Sequence, residues 1–253
     1  MYFDTHAHLD DERFNEEREA LIESFKENGI SLVMNVGADM KDSIDGVSMA
    51  REHDEIYAAV GIHPEFAETV NEKTLETLLV LAISSKKVKA IGEIGLDYHY
   101  DNFDKETQKK AFRAQMELAK KLNLPVIIHS RDAYADTLEI IKEYPDLKKV
   151  IHCFSGNNEN AKELFGLGCY ISFTGVITFK NAKKFEEILK EAPLDRIFFE
   201  TDCPYMAPEP VRGTVNNPIN VKHIVKKAAE TIGIEAEKLA EISTETARKF
   251  FEI

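Results

Sequence analysis

The sequence predicts an α/β protein of the (β/α)8 TIM-barrel class, built as one domain over residues 1–253. Three observations carry that prediction. Eight short runs rich in Val, Ile and Phe read as strands buried on both faces, as in a parallel sheet. Amphipathic segments of helical period separate most of them. The chain length of 253 residues matches the roughly 250 of a typical barrel.

The strands fall in order at residues 2–6, 31–36, 56–61, 88–94, 126–129, 150–153, 169–173 and 197–201. Helices are expected over residues 15–28, 72–83, 105–122, 134–144, 160–167, 181–190 and 220–231. Gly29 is a stop for the first of these, and Asn71 and Asp104 are side-chain caps for the second and third. A terminal helix over residues 244–251 should bring Phe250 or Phe251 onto the body.

Composition narrows the class. Hydrophobic residues make up 43% and charged residues 30%, ordinary for a globular chain with a real core. No apolar run approaches the roughly 20 residues that span a bilayer, so no membrane is expected as a partner. The N-terminus runs straight into a strand-like segment without the basic start of a signal peptide, and the expectation is a cytoplasmic protein. The three cysteines, Cys153, Cys169 and Cys203, are too scattered for a disulfide framework or a thiolate metal site. Cys153 and Cys203 neighbour His152 and Asp202, and strand alternation would turn them away from those residues. A net charge of −13 argues against a protein that coats a duplex, because phosphates supply most of the affinity there.

The histidines carry the chemistry. Of eight, His6, His8, His129 and His152 sit at strand ends or just beyond, and His63 also follows a strand. That is the rim where barrel active sites form. Side chains two apart on a strand share a face, so His6 and His8 can point together into the mouth, where neutral imidazoles suit a divalent metal. Glu93 lies between glycines in an apolar run, a costly place for a carboxylate unless it meets a cation, and its two oxygens can bridge two ions. Asp202, after the eighth strand, can ligate a metal and take a proton from water. Asp97 reads as a support or helix cap rather than a ligand, and Glu200 as a deeper brace or a simple ion-pair partner. Arg131 reads equally as a phosphate contact or a helix cap.

Six ordered blocks resemble the TatD family of metal-dependent deoxyribonucleases, a branch of the amidohydrolase superfamily. They are Asp4-Thr5-His6-Ala7-His8-Leu9-Asp10, Gly61-Ile62-His63-Pro64, Ile91-Gly92-Glu93-Ile94-Gly95-Leu96-Asp97-Tyr98, His129-Ser130-Arg131-Asp132, His152-Cys153-Phe154-Ser155-Gly156 and Glu200-Thr201-Asp202-Cys203-Pro204-Tyr205. The resemblance implies that His6, His8 and Asp202 hold one metal, His129 and His152 the other, and Glu93 bridges them. It implies that His63 and Arg131 contact substrate. Many amidohydrolases place a carboxylated lysine where this chain has Glu93. The family often carries Arg-Gly-Lys-Arg-Asn-Glu-Pro after the eighth strand. Here the segment is Arg212-Gly213-Thr214-Val215-Asn216-Asn217-Pro218, which keeps Arg212 for substrate but lacks two basic residues and one acidic one.

The resulting expectation is a metal-dependent hydrolase with Glu93 and Asp202 as its catalytic carboxylates and two divalent ions (Mg, Mn or Zn) as cofactors. Its partner would be nucleic acid, as single-stranded DNA ends cleaved from the 3′ side, and it would act as a monomer or weak oligomer. Two other readings stand beside it: hydrolysis of another ester or amide such as aminoacyl-tRNA, and a non-catalytic metal-binding scaffold.

Overall fold

The computed structural model describes residues 1–100 and 104–253. Eight parallel strands lie in the order β1 to β8: Tyr2–Ala7, Ile30–Val36, Ile56–Val60, Val88–Asp97, Val126–Arg131, Lys149–Ile151, Tyr170–Phe173 and Ile197–Phe199. The chain just beyond β8 closes the ring. Ala7 bridges Cys203, Asp202 N donates to His6 O at 2.9 Å, and His8 N donates to Cys203 O at 2.9 Å. Closure therefore joins the segments that carry His6, His8 and Asp202.

The surrounding helices are α1 Arg18–Glu23, α2 Met40–Glu52, α3 Glu72–Ser84, α4 Lys105–Leu122, α5 Tyr134–Lys142, α6 Asn158–Gly166, α7 Lys184–Glu191, α8 Val221–Ile232 and α9 Ala236–Phe251. The Asn71 and Asp104 caps are present, accepting from Thr74 N and Thr107 N. Three helices differ from the sequence reading. The first is shorter than residues 15–28. The last begins at Ala236, eight residues before the expected start. The second, α2, has no counterpart among the helices expected from the sequence. In α2, Asp42, Ser43, Asp45, Gly46 and Ser48 dilute the apolar stripe, and the helix rests on its Asp39 cap and on packing beside β3.

A buried cluster of Phe3, Met34, Val150 and Phe198 meets Phe250 and Phe251 from α9. Both rings are about 1% exposed, and Phe250 lies 5.3 Å from Phe198 between centroids. Lys89 and Lys148, at the starts of β4 and β6, bond Glu252, so this plug sits at the N-terminal end of the barrel, away from the rim. Phe250→Ala is expected to cost about 3–5 kcal/mol, the usual penalty for emptying a buried aromatic site. Urea denaturation should show the lower midpoint, while metal binding of the folded variant stays as in the parent. Weakened metal binding would contradict the separation of plug and site.

Among the described residues no helix is long and apolar enough to cross a membrane.

Candidate metal centre

The rim side chains converge. His6 lies near the end of β1 and His8 follows the strand, their Nε2 atoms 3.2 Å apart. His8 Nδ1 lies 2.8 Å from Val36 O, which can only accept, so the neutral ring carries its proton on Nδ1 and turns the Nε2 lone pair to the site. His129 Nδ1 and His152 Nε2 form a second pair 3.1 Å apart. Glu93 lies between the pairs. Its Oε1 is 2.7 Å from His129 Nδ1 and 2.5 Å from His152 Nε2, and its Oε2 is 3.4 Å from His6 Nε2. Asp202 Oδ1 completes the first group, 3.7 Å from His6 and 3.5 Å from His8.

This donor set fits divalent cations. Two ring nitrogens bound at 2.0–2.1 Å to one tetrahedral ion stand about 3.3 Å apart, close to both pair separations seen here. One carboxylate oxygen faces each pair. Glu93 accordingly belongs to two candidate ligand groups, with His6 and His8 and with His129 and His152. Lys89, in the same strand, is turned to Glu252 and does not neutralise Glu93.

Electrostatics agree with a cation-seeking site. Burial alone would raise the Glu93 pKa, but His152, His63 and His6 and the His129 hydrogen bond hold it well below the usual range. Asp202 is held low against its burial by the His8 hydrogen bond and neighbouring imidazoles. His8 shows the reverse balance. Burial pushes it down, yet Asp202 and Glu93 raise it to about 9. The same two-sided balance raises His129 and His152.

These directions set a pH dependence. Without a cation His8, His129 and His152 are drawn toward the protonated form, while burial and His152 keep His6 neutral. A metal binds only imidazole lone pairs, so binding releases protons from the first three. Affinity therefore rises with pH up to the raised pKa of His8 and falls with acidification. The apparent affinity for Mn2+ is expected to rise about tenfold per pH unit for each proton released between pH 6 and 8. Calorimetric titration in two buffers of different ionisation enthalpy counts those protons. A pH-independent affinity would contradict this arrangement.

Supporting residues explain the precision. Asp97 is buried, and its Oδ2 lies 3.1 Å from His129 Nε2, which places the proton there and leaves Nδ1 bare toward Glu93. Gln108 on α4 clamps Asp97, accepting from its N and donating to its O, both at 2.9 Å. Gln115, two turns on, holds Ile62 in the same way beside His63. Glu200 accepts from Cys153 N at 2.8 Å and stands 3.4 Å from His152 Nδ1, so it braces that imidazole. At Gly95, where φ is +144°, β4 passes so close to β5 that a Cβ would strike the His129 carbonyl. Asp97→Asn would present an amide donor to His129 and disturb its tautomer. Metal affinity is expected to fall about 10- to 100-fold, measured by competition with a chromogenic chelator. Unchanged affinity would remove Asp97 from this role.

His63 has a different character. Its Nδ1 accepts from Glu65 N at 3.2 Å, so Nε2 carries the proton and points toward Glu93 Oε1, 3.8 Å away. Burial and His129 push its pKa down to about 3, so it stays a neutral donor. Although it clusters with Asp97 and His129 as a possible ligand group, this tautomer offers no lone pair to a metal.

Asp4, Asn35 and Asn216 also support the site. Asp4 is wholly buried, accepts from Thr201 N and Oγ1 at 2.8 and 2.5 Å, and ties β1 to the segment bearing Asp202. Asn35 receives Leu9 N at 2.6 Å and fixes the turn after His8. Asn216 donates to Thr201 O and Tyr205 O. Asp4 and Asn35 interrupt apolar strand runs, the one signal the sequence offers for them, and Asn216 has no such mark. Arg131 is half-exposed at the cleft wall, within 4.0 Å of Asp97. Arg212 stacks 3.7 Å over Phe179 and is not among the residues lining the cleft. The Cys153 sulfur packs near Thr174 and Met206, Cys203 is fully buried, and neither lines the cleft. Strand alternation does not govern either residue, because both lie beyond their strands and Cys153 has φ 44°.

The cleft holds about 620 Å3 and is lined by His8, His63, Glu93, His129, His152 and Asp202 together with Arg131, Tyr100, Tyr205 and an acidic lip. A (β/α)8 barrel with such a rim defines a metal-dependent hydrolase. The family model described as TatD related DNase matches residues 3–252, and the chain belongs to that family. It is 44% identical to the metal-dependent hydrolase YabD of Bacillus subtilis, over 100% of both chains. It is 34% identical to the 3′-5′ ssDNA/RNA exonuclease TatD of Erwinia tasmaniensis, covering 99% of this chain and 100% of that one. Its fold matches the crystal structure of the TatD homologue YjjV from Escherichia coli with a TM-score of 0.93 at 29% identity, over 100% and 98% of the two chains.

Proposed function

We propose that the chain is a two-metal deoxyribonuclease that removes nucleotides from the 3′ end of single-stranded DNA. The observation that supports this most is Glu93, whose two oxygens face two separate imidazole pairs. His6, His8 and Asp202 would hold one ion and His129 and His152 the other, with Glu93 shared. Imidazole and carboxylate donors suit Zn or Mn, and Mg can serve where abundant. Divalent ions held there would lower the pKa of bound water toward 7 and offset charge on a phosphoryl oxygen.

The chain's own groups do the rest. Asp202 stands beside the first imidazole pair and takes the proton from the attacking water. His63 Nε2–H donates to a substrate oxygen, and Arg131 offers a charged donor at the wall. The water oxygen bonds to phosphorus, the P–O3′ bond breaks, and the 3′ oxygen leaves as a hydroxyl with a proton from solvent. Asp10, Asp11, Glu12, Asp42 and Glu65 on the lip oppose a long polyanion lying across it, which favours a chain end over a duplex. Every group named lies on one chain, so the site needs no partner subunit, and the enzyme is proposed as a cytosolic monomer or weak oligomer.

The test is incubation with 3′- and 5′-labelled single strands, with Mn2+ or Mg2+ and then with EDTA. The reading expects 5′-mononucleotides released from the 3′ end and full arrest by EDTA. Metal-dependent cleavage of RNA or aminoacyl-tRNA in preference to DNA would move the substrate class. No cleavage of any of them would end the nuclease reading.

A further inference from the structure

One side chain at the cleft has no part in holding cations yet is held with care. Tyr205 lies on the lip, three residues after Asp202, with 50% of its surface exposed. Its mount is rigid. Tyr205 N donates to Asp202 O at 3.0 Å, and its carbonyl accepts from Asn216 Nδ2 at 2.7 Å. Asn216 itself is fully buried and reaches Thr201 O at 2.9 Å with the same amide.

The ring is also backed. The Arg13 guanidinium carbon stands 4.4 Å from its centroid, a cation–π contact. Arg13 is fixed by a two-pronged pair with Asp11, Nε to Oδ1 and Nη2 to Oδ2, each 2.8 Å. That carboxylate offsets the guanidinium charge, so the assembly offers a flat, polarised surface and little net attraction for phosphate. Across the mouth stands a second ring. Tyr100 follows β4, opposite β8 in the eight-strand ring, lines the same cleft, and has the Arg131 guanidinium 5.5 Å from its centroid.

A half-exposed aromatic ring on a fixed backbone complements the face of an unpaired nucleobase. In a duplex each base is already stacked on its neighbours, so only a frayed or single-stranded end can use such a surface. We infer that Tyr205, backed by Arg13, is a stacking platform for an unpaired base beside the scissile phosphodiester. It thereby makes the cleft selective for single-stranded ends. This inference rests on the nuclease reading for its substrate.

The test pairs two proteins with two strands. Wild type and Tyr205→Ala are compared on a short oligothymidine and on one whose two 3′-terminal nucleotides lack bases. Cleavage is followed with Mn2+, and Kd is measured by fluorescence anisotropy on phosphorothioate versions that resist hydrolysis. Tyr205→Ala is expected to raise KM and Kd about 10- to 100-fold on the intact strand, leaving kcat within about threefold. On the abasic strand the two proteins should agree within about twofold. Tyr205→Phe should restore wild-type values, because stacking needs the ring and not the hydroxyl. Equal losses on both strands, or none on either, would overturn the platform. If wild type binds but cleaves neither strand, the nuclease reading fails, and the anisotropy data still decide on stacking. If wild type binds neither strand, the platform falls too.

Discussion

Glu93→Gln is expected to abolish metal-dependent hydrolysis, lowering kcat/KM by at least about a thousand-fold, because the several kcal/mol supplied by cations at a reacting oxygen depend on holding them. Glutamine keeps the shape of the side chain but removes its charge. It also turns an N–H2 donor toward one of the imidazole pairs that now face Oε1 and Oε2. One pair loses its anionic partner and the shared ligand is broken. Steady-state kinetics and circular dichroism, run side by side, check the result. Activity within tenfold of wild type, with the fold intact, would remove Glu93 from the centre of the chemistry.

Asp202→Asn is expected to lower kcat about 100- to 10,000-fold with KM changed less than about threefold, the pattern for loss of a positioned base. The carboxyl is held low by His8 and its neighbours, so it is ionised and ready to accept a proton at neutral pH. Asparagine keeps the size and an oxygen toward His8 but cannot take the proton. Its backbone, at φ 53°, suits asparagine as well as aspartate. The second ligand group, Glu93 with His129 and His152, is untouched, so at most one ion should be lost. A variant with normal kcat and raised KM would make Asp202 a binding group only.

What was legible in the sequence follows from periodicity and position. The His-x-His spacing of His6 and His8, and single histidines after the apolar runs at Ile128 and Ile151, announced the rim, and the structure brings all four together. Glu93 was legible because a carboxylate inside an apolar run demands an explanation. The strand ends were less legible. β6 stops at Ile151 and β8 at Phe199, so His152 and Asp202 sit on the departing loops, while β4 runs on to Asp97. A single chain shows where apolar character ends but not where pairing ends.

The supporting set was harder to see. Gln108, Gln115 and Asn216 resemble surface residues until their partners are known, and the partner of Asp4 lies 197 positions away. Helix α2 was hidden because its polar and small residues blur the 3.6-residue period. Arg212 shows the converse. It keeps the motif position that the family resemblance assigns to substrate, and its guanidinium lies over Phe179.

The most direct measurement is metal content per chain. The purified protein is loaded with Mn2+ or Zn2+, freed of excess by gel filtration, and assayed by inductively coupled plasma mass spectrometry beside Glu93→Gln. Two ions per chain in the parent, and no more than one in the variant, is the result expected from two imidazole pairs sharing one carboxylate. A parent that holds a single ion, or a variant that still holds two, would contradict it.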